Sequence, residues 1–187
     1  MLTLTPLTEA GLPAFEALLG SRAFGGCFCA VWTDFGADWG RRCADPARPN
    51  LASTRARVVS GDHVGFLVHD GATVVAWTGA GPWAAFPGLA TRKASRSVED
   101  TDDAWALGCL AVHPDHRGRG VSTATIRAVR EAAARAGARH LYAFPTDPWD
   151  EPRSYRGSLA GFVRQGFTEV LREPDGDSAI VAMRVAV

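Results

Sequence analysis

Apolar and polar residues alternate over residues 2–5, a period of two that predicts a strand, and Pro6 ends it. Thr8 stands where an N-cap is expected, ahead of a helix in which Leu12, Phe15, Leu18 and Leu19 share one face. Residues 20–50 show no period. They are rich in glycine and crowded with Cys27, Phe28, Cys29, Trp32, Phe35 and Trp39, and long loops of this kind are often functional. A short helix is predicted over 51–60, closed by Gly61. Residues 64–68 and 73–77 flank Asp70-Gly71, and an Asp-Gly pair between β-rich runs predicts a hairpin. Residues 82–103 read as a connection with at most a helical turn, and 104–112 as a buried strand, being apolar without interruption.

From Gly120 the pattern turns helical, with Ile126, Val129, Ala133 and Ala136 inward and Arg127, Arg130, Glu131 and Arg135 outward, until Gly137 stops it. Residues 139–144 form the next strand, ended by Pro145. A short helix over 158–165 is closed by Gly166, and residues 168–171 and 179–187 read as a final antiparallel pair. The element order predicts an α/β protein of the α+β kind.

Composition narrows the class. The 187 residues, 47% hydrophobic and 21% charged, suit one domain over 1–187. Twenty Lys and Arg balance twenty Asp and Glu, so no net field draws nucleic acid or an anionic membrane, and neither is expected as a partner. The opening residues lack a basic cluster followed by an apolar run, and no stretch approaches a membrane span, so a soluble cytoplasmic protein is expected. Cys27, Cys29, Cys43 and Cys109 are expected as free thiols with no metal, because their spacing lacks the two-residue gaps of structural zinc sites.

The stretch that carries chemistry is LGCLAVHPDHRGRGVS, residues 107–122, where a buried strand passes through a polar turn into a long helix. A helix start offers unpaired N–H groups and the positive end of a dipole, glycines let the backbone approach an anion, and Arg117 and Arg119 add cationic donors. A dinucleotide fingerprint would place its third glycine at Thr123, and a P-loop would need lysine at Val121. An ordinary glycine-bearing loop has the same spacing without a ligand; the arginines favour the anion site.

At these residues the chain resembles the GNAT acyltransferase family, whose motif Q/R-x-x-G-x-G/A is met by Arg117, Gly118, Arg119, Gly120 and Val121, with Ser122 in the last place as a departure. Cys27-Phe-Cys29-Ala-Val-Trp32, the Cys109 strand, Phe144-Pro145 and residues 161–167 resemble a bacterial branch of the family that fixes no substrate. The resemblance implies a mixed, mostly antiparallel sheet with a splayed central strand pair, flanked by helices. It implies acetyl-CoA as acyl donor, with its pyrophosphate on Arg117, Gly118, Arg119, Gly120, Val121 and Ser122. The backbone of Leu110, Ala111 and Val112 would pair with the pantetheine arm and stabilise an oxyanion. The implied reaction is direct attack on the thioester by a primary amine of a small molecule or peptide, in a monomer or homodimer. A non-catalytic acyl-CoA sensor of the same fold is the alternative.

Catalytic roles are less marked. Glu99, Asp100, Asp102 and Asp103 precede the central strand and are candidate bases, whereas His113 and His116 belong to the turn and are discounted. The family often carries a tyrosine four residues before the glycine of its last helix motif, as acid to the thiolate; Gly166 puts Phe162 there. Only Tyr142 and Tyr155 are available, and Tyr155 is the candidate acid, two turns before Phe162 if the helix reaches back that far. Trp32, Phe35, Trp39, Trp77, Trp83, Phe86, Trp105 and Trp149 are candidate acceptor aromatics. The resemblance selects Trp32, Trp77 and Trp105.

Overall fold

A computed structural model describes residues 2–34, 36, 38–149 and 154–187. In chain order the elements are β1 (Leu2–Pro6), α1 (Leu12–Leu19), α2 (Trp39–Ala44), α3 (Pro49–Val59), β2 (Phe66–Asp70), β3 (Thr73–Pro82), β4 (Ala104–Val112), α4 (Val121–Arg135), β5 (His140–Ala143), β6 (Thr146–Asp147), α5 (Leu159–Val163), β7 (Thr168–Asp175) and β8 (Ser178–Ala186). The eight strands form one sheet in the order β1-β2-β3-β4-β5-β8-β6, with β7 also on β8. Every pairing is antiparallel except β4 with β5.

Both faces of the sheet are covered. On one, α1, α3 and the 20–50 segment bury Phe15, Leu18, Phe28, Trp32, Leu51 and Trp77. On the other, α4 and α5 bury Ile126, Val129, Ala133 and Phe162 against Leu107, Leu141 and Met183. At roughly 1.5–3 kcal/mol for each large apolar side chain fully buried, these contacts fix α4 on the sheet. Among the described residues, no helix is long and apolar enough to cross a membrane.

One irregularity in β4 organises the centre. Its register on β3 runs from Leu107↔Ala80 directly to Cys109↔Gly79, so Gly108 is an inserted residue, a β-bulge. A bulge shifts the side-chain alternation by one. Ala104 and Ala106 point to the α1 face, but beyond Gly108 that face receives Cys109 and Ala111, while Trp105, Leu107 and Leu110 point to the α4 face. The β4–β5 pairing also ends at Leu107↔Ala143, next to the bulge, and beyond it the two strands diverge.

Several local expectations need correction. Thr8 makes no side-chain cap: a 3-10 turn, Glu9–Gly11, precedes α1, which starts with Pro13 in its first turn. Ala136 lies past the end of α4 and is exposed, whereas Val121 and Thr125 are buried. The aperiodic segment contains α2, held by Arg42 Nη2 donating to Asp34 Oδ2 at 2.7 Å and Arg41 Nη2 donating to Asp38 Oδ2 at 3.1 Å. Charge pairs of that kind leave no hydrophobic period to read.

Candidate active site

The turn between β4 and α4 is built by two left-handed glycines. Gly118 has φ 71° and Gly120 has φ 75°, and a Cβ at either would meet nothing within 4 Å. Glycine is required here for backbone conformation, not for room. Gly120 caps α4, and the first intrahelical bond is donated by Ala124 N to Gly120 O at 3.0 Å. The N–H groups of Val121, Ser122 and Thr123 are therefore left for an anion. Arg117 Nε donates to Val112 O at 3.2 Å, which fixes its guanidinium over the turn and 5.9 Å from the Phe24 ring. Asp115 N donates to His113 Nδ1 at 3.3 Å, and the His113 and His116 rings meet edge to face at 5.8 Å. Both imidazoles remain in the turn.

A cavity of about 920 Å³ runs from this turn along the open edge of β4. Arg117, Ser122, Thr123 and Ile126 line its first end; Cys109, Leu110, Ala111 and Val112 line its middle. Opposite β4 stand Tyr155, Gly157, Ser158, Gly161 and Arg164, and the far end is closed by Phe28, Trp32, Trp39 and Trp149. The walls converge because Ser158 Oγ accepts from Gly161 N at 3.1 Å and starts α5 beside Leu110.

All four cysteines line this cavity, and all are free. Phe28 and Cys29 have φ of 44° and 60°, a left-handed pair without glycine, and this places the Cys29 thiol where a Cβ on Gly79 would lie 2.5 Å from it. Burial pushes the Cys27 thiol up to about 12, with Cys29 and Cys43 adding to the shift. Cys109 is raised well above its ordinary value by its hydrogen bond with Cys29 and by burial. Cys27 and Cys109 therefore keep their protons, and they mark a desolvated stretch of the wall. Among the described residues, no group of three or more His, Cys, Asp or Glu is placed to hold a metal ion.

Comparison with known proteins decides the family. The family model described as "Acetyltransferase (GNAT) family" matches residues 28–164. The chain belongs to the GNAT acetyltransferase family. Acetyl-CoA is the acyl donor that goes with this membership. No curated protein matches the sequence. Among solved structures, the aminoglycoside acetyltransferase AAC(6')-Ib in complex with coenzyme A and kanamycin is 14% identical, with a TM-score of 0.65 over 100% of this chain and 95% of that one. The ribosomal-protein-S18-alanine N-acetyltransferase from Escherichia coli is 16% identical, with a TM-score of 0.56 over 100% and 94%. An acetyltransferase from Thermus thermophilus is 20% identical, with a TM-score of 0.57 over 100% and 97%. At these identities the likeness is one of fold.

Within this GNAT fold the residues singled out from the sequence separate clearly. Leu110, Ala111, Val112, Arg117 and Ser122 line the cavity, and Gly118, Arg119 and Gly120 form the exposed turn beside it. The Val121 side chain packs inward with Val112 and Val75, leaving its N–H as the group available to a ligand. Trp32 lines the cavity, but Trp77 and Trp105, contrary to expectation, do not reach it. Trp77 is fully buried, edge-on to Phe15 at 4.6 Å, and Trp105 stacks on Phe66 at 6.0 Å on the α4 face. Trp83 packs on Tyr142 and Phe144, Phe86 is core, and Phe35 lies outside the described residues.

The candidate bases also lie away from the cavity. Asp100, Asp102 and Asp103 line a separate hollow of about 290 Å³ with Arg139 and His140, at the start of β4. Glu99 is exposed, and its carbonyl accepts from Tyr142 Oη at 3.3 Å. Tyr155 does line the cavity, though not on the helix of Phe162. Gly157, at φ 76°, breaks the chain, and Tyr155 sits in a 3-10 turn, Ser154–Arg156, that packs on β4.

Sequence reasoning missed two arginines. Arg156 is 4% exposed, donates from Nη1 to Phe144 O at 3.2 Å, and holds its guanidinium 5.4 Å from the Trp32 ring and 5.6 Å from the Tyr155 ring. Arg92 lies 5.1 Å from the Trp32 ring; burial, and then the Arg156 charge, pull it below its ordinary range. An arginine in an aperiodic loop gives no pattern that announces burial.

Proposed function

We propose that residues 1–187 act as one acyltransferase domain that transfers the acetyl group of acetyl-CoA to a primary amine. The observation that carries this reading is the continuity of the cavity. It joins the left-handed glycine turn at the start of α4 to the thiol and aromatic wall around Trp32, past the unpaired edge of β4. The pyrophosphate would lie on the N–H groups of Val121, Ser122 and Thr123 beside Arg117, and the pantetheine arm along Leu110, Ala111 and Val112.

The amine nitrogen attacks the thioester carbonyl carbon, forming C–N and breaking C–S, and the proton lost by nitrogen ends on the thiolate. A free β4 N–H is suited to the oxyanion. The dry wall that holds Cys27 protonated up to about 12 also favours a neutral amine over an ammonium. Tyr155, facing the cavity next to Leu110's strand, is the proposed donor to the departing sulfur.

One observation favours the sensor alternative. Phe162, at the family's usual tyrosine position, is fully buried against Phe167 and offers no proton. Release of free thiol from acetyl-CoA across a library of amines separates the two readings, because a sensor binds the donor and releases none.

A further inference from the structure

Along β4, away from the glycine turn, the cavity wall changes character. Val112, Ala111 and Leu110 give way to Cys109 and then to Gly108, on whose backbone the Trp32 indole lies. An acetyl group carried along this edge meets the side of the cavity formed by Phe28, Cys29, Val31 and Trp32. Trp149 lines the same cavity at the protein surface, with 53% of its area exposed. Its segment is anchored just upstream, where Asp147 pairs with Ala179 of β8 and accepts from Arg172 Nη1 at 2.6 Å.

The charge of this wall is as telling as its rings. The charged side chains among the described lining residues are Arg117, ahead of α4, and Arg164, at the end of α5. Both are cations. Guanidinium groups also lie over the aromatic rings of the wall: Arg48 over Phe28 at 6.0 Å, Arg42 over Trp39 at 5.9 Å, and Arg92 and Arg156 over Trp32 at 5.1 and 5.4 Å. The attraction of these rings for cations is thus taken up by the protein's own side chains, and apolar contact is what they offer a ligand. Burial also holds Cys27 protonated up to about 12, and an ammonium group placed beside it would lose its water in the same way.

We infer that the acceptor is a monoamine carried on an aromatic body, whose ring packs on Trp149 and the apolar wall around Trp32 while its single nitrogen reaches the thioester. Trp149 is then a specificity-determining residue. This deepens the reading of the chain as an amine acetyltransferase and rests on it. A flat ring laid on a half-exposed indole removes apolar area from water on both partners. Each further ammonium group of a polyamine would instead be desolvated beside cations.

The test compares 2-phenylethylamine and tryptamine with propylamine, spermidine and kanamycin, assayed for thiol release with acetyl-CoA. The better aromatic monoamine is expected to exceed propylamine and both polyamines in kcat/KM by about tenfold or more. Trp149→Ala should lose most of that preference with KM for acetyl-CoA unchanged, and Trp149→Phe, which keeps a ring, should retain part of it. Product binding keeps the inference separate from turnover: N-acetyl-2-phenylethylamine and N-acetylpropylamine are titrated calorimetrically into full-length protein saturated with CoA. The aromatic product is expected to bind about tenfold tighter in the wild type, and the difference should shrink in Trp149→Ala. Equal binding of the two products by the wild type, or a higher kcat/KM for propylamine, spermidine or kanamycin than for the aromatic amines, overturns the inference. Tighter binding of the aromatic product with no thiol release from any amine contradicts the transfer reading and leaves the aromatic site standing.

Discussion

The indole of Trp32 lies on the backbone of Gly108, so close that a Cβ there would come within 2.5 Å of its Cε2. Gly108 is also the inserted residue of the β4 bulge, so a single position sets both the shift in alternation and the seat of the far wall of the cavity. Gly108→Ala forces the ring or the strand to move. The expected cost is about 1–3 kcal/mol of stability, typical of overpacking, read by urea unfolding. KM for the amine should rise more than KM for acetyl-CoA. Unchanged stability and an unchanged amine KM would show that the contact is slack.

At the other end of the cavity Gly120 separates conformation from charge. Its φ of 75° strains any side chain, but the space around it is open. Asparagine tolerates left-handed backbone better than other residues, so Gly120→Asn isolates the strain, whereas Gly120→Asp adds a negative charge at the proposed pyrophosphate site. Calorimetry is expected to show CoA binding weakened about a hundredfold or more by the aspartate and much less by the asparagine. Equal affinity in the two folded variants would move the phosphate elsewhere.

Tyr155→Phe removes a hydroxyl and leaves the ring for Arg156 to stack on. If the phenol protonates the leaving sulfur, kcat falls on the order of a hundredfold when chemistry limits turnover. A kcat within about twofold of wild type would mean that the thiolate leaves unaided.

The thiol wall has a signature in alkaline solution. An unfolded Cys27 ionises near its ordinary 9.0, while the folded one holds its proton up to about 12. The folded state therefore binds that proton more tightly. Its contribution to stability is complete below about 9 and is lost as pH rises toward 12. The Tm of the wild type should fall more steeply than that of Cys27→Ala over this window. Parallel curves would show that Cys27 is hydrated in the native state.

Much of this arrangement was legible in the sequence. The 104–112 apolar run matches β4, the Asp70-Gly71 hairpin forms, and the glycine and arginine turn before α4 is where the spacing put it. Those features depend on local periodicity or on backbone conformations that only certain residues adopt. The bulge at Gly108 left no such trace, because a strand apolar on both faces reads the same in either register. Trp77 and Trp105 were misplaced for the same reason: a tryptophan in a doubly covered strand has equal claim to core and to cavity until its face is known. Arg156 was invisible because its burial follows from where the chain turns at Gly157, far from the Trp32 that it contacts.

The most direct measurement of the central claim follows purified protein with acetyl-CoA and a panel of primary amines, recording thiol release and the mass of the amine product. At least one amine is expected to gain a single acetyl group with one free thiol released per product. Tight CoA binding with thiol released only at the rate of background hydrolysis, and no acetylated amine in the panel, would contradict catalysis and leave the fold as an acyl-CoA sensor.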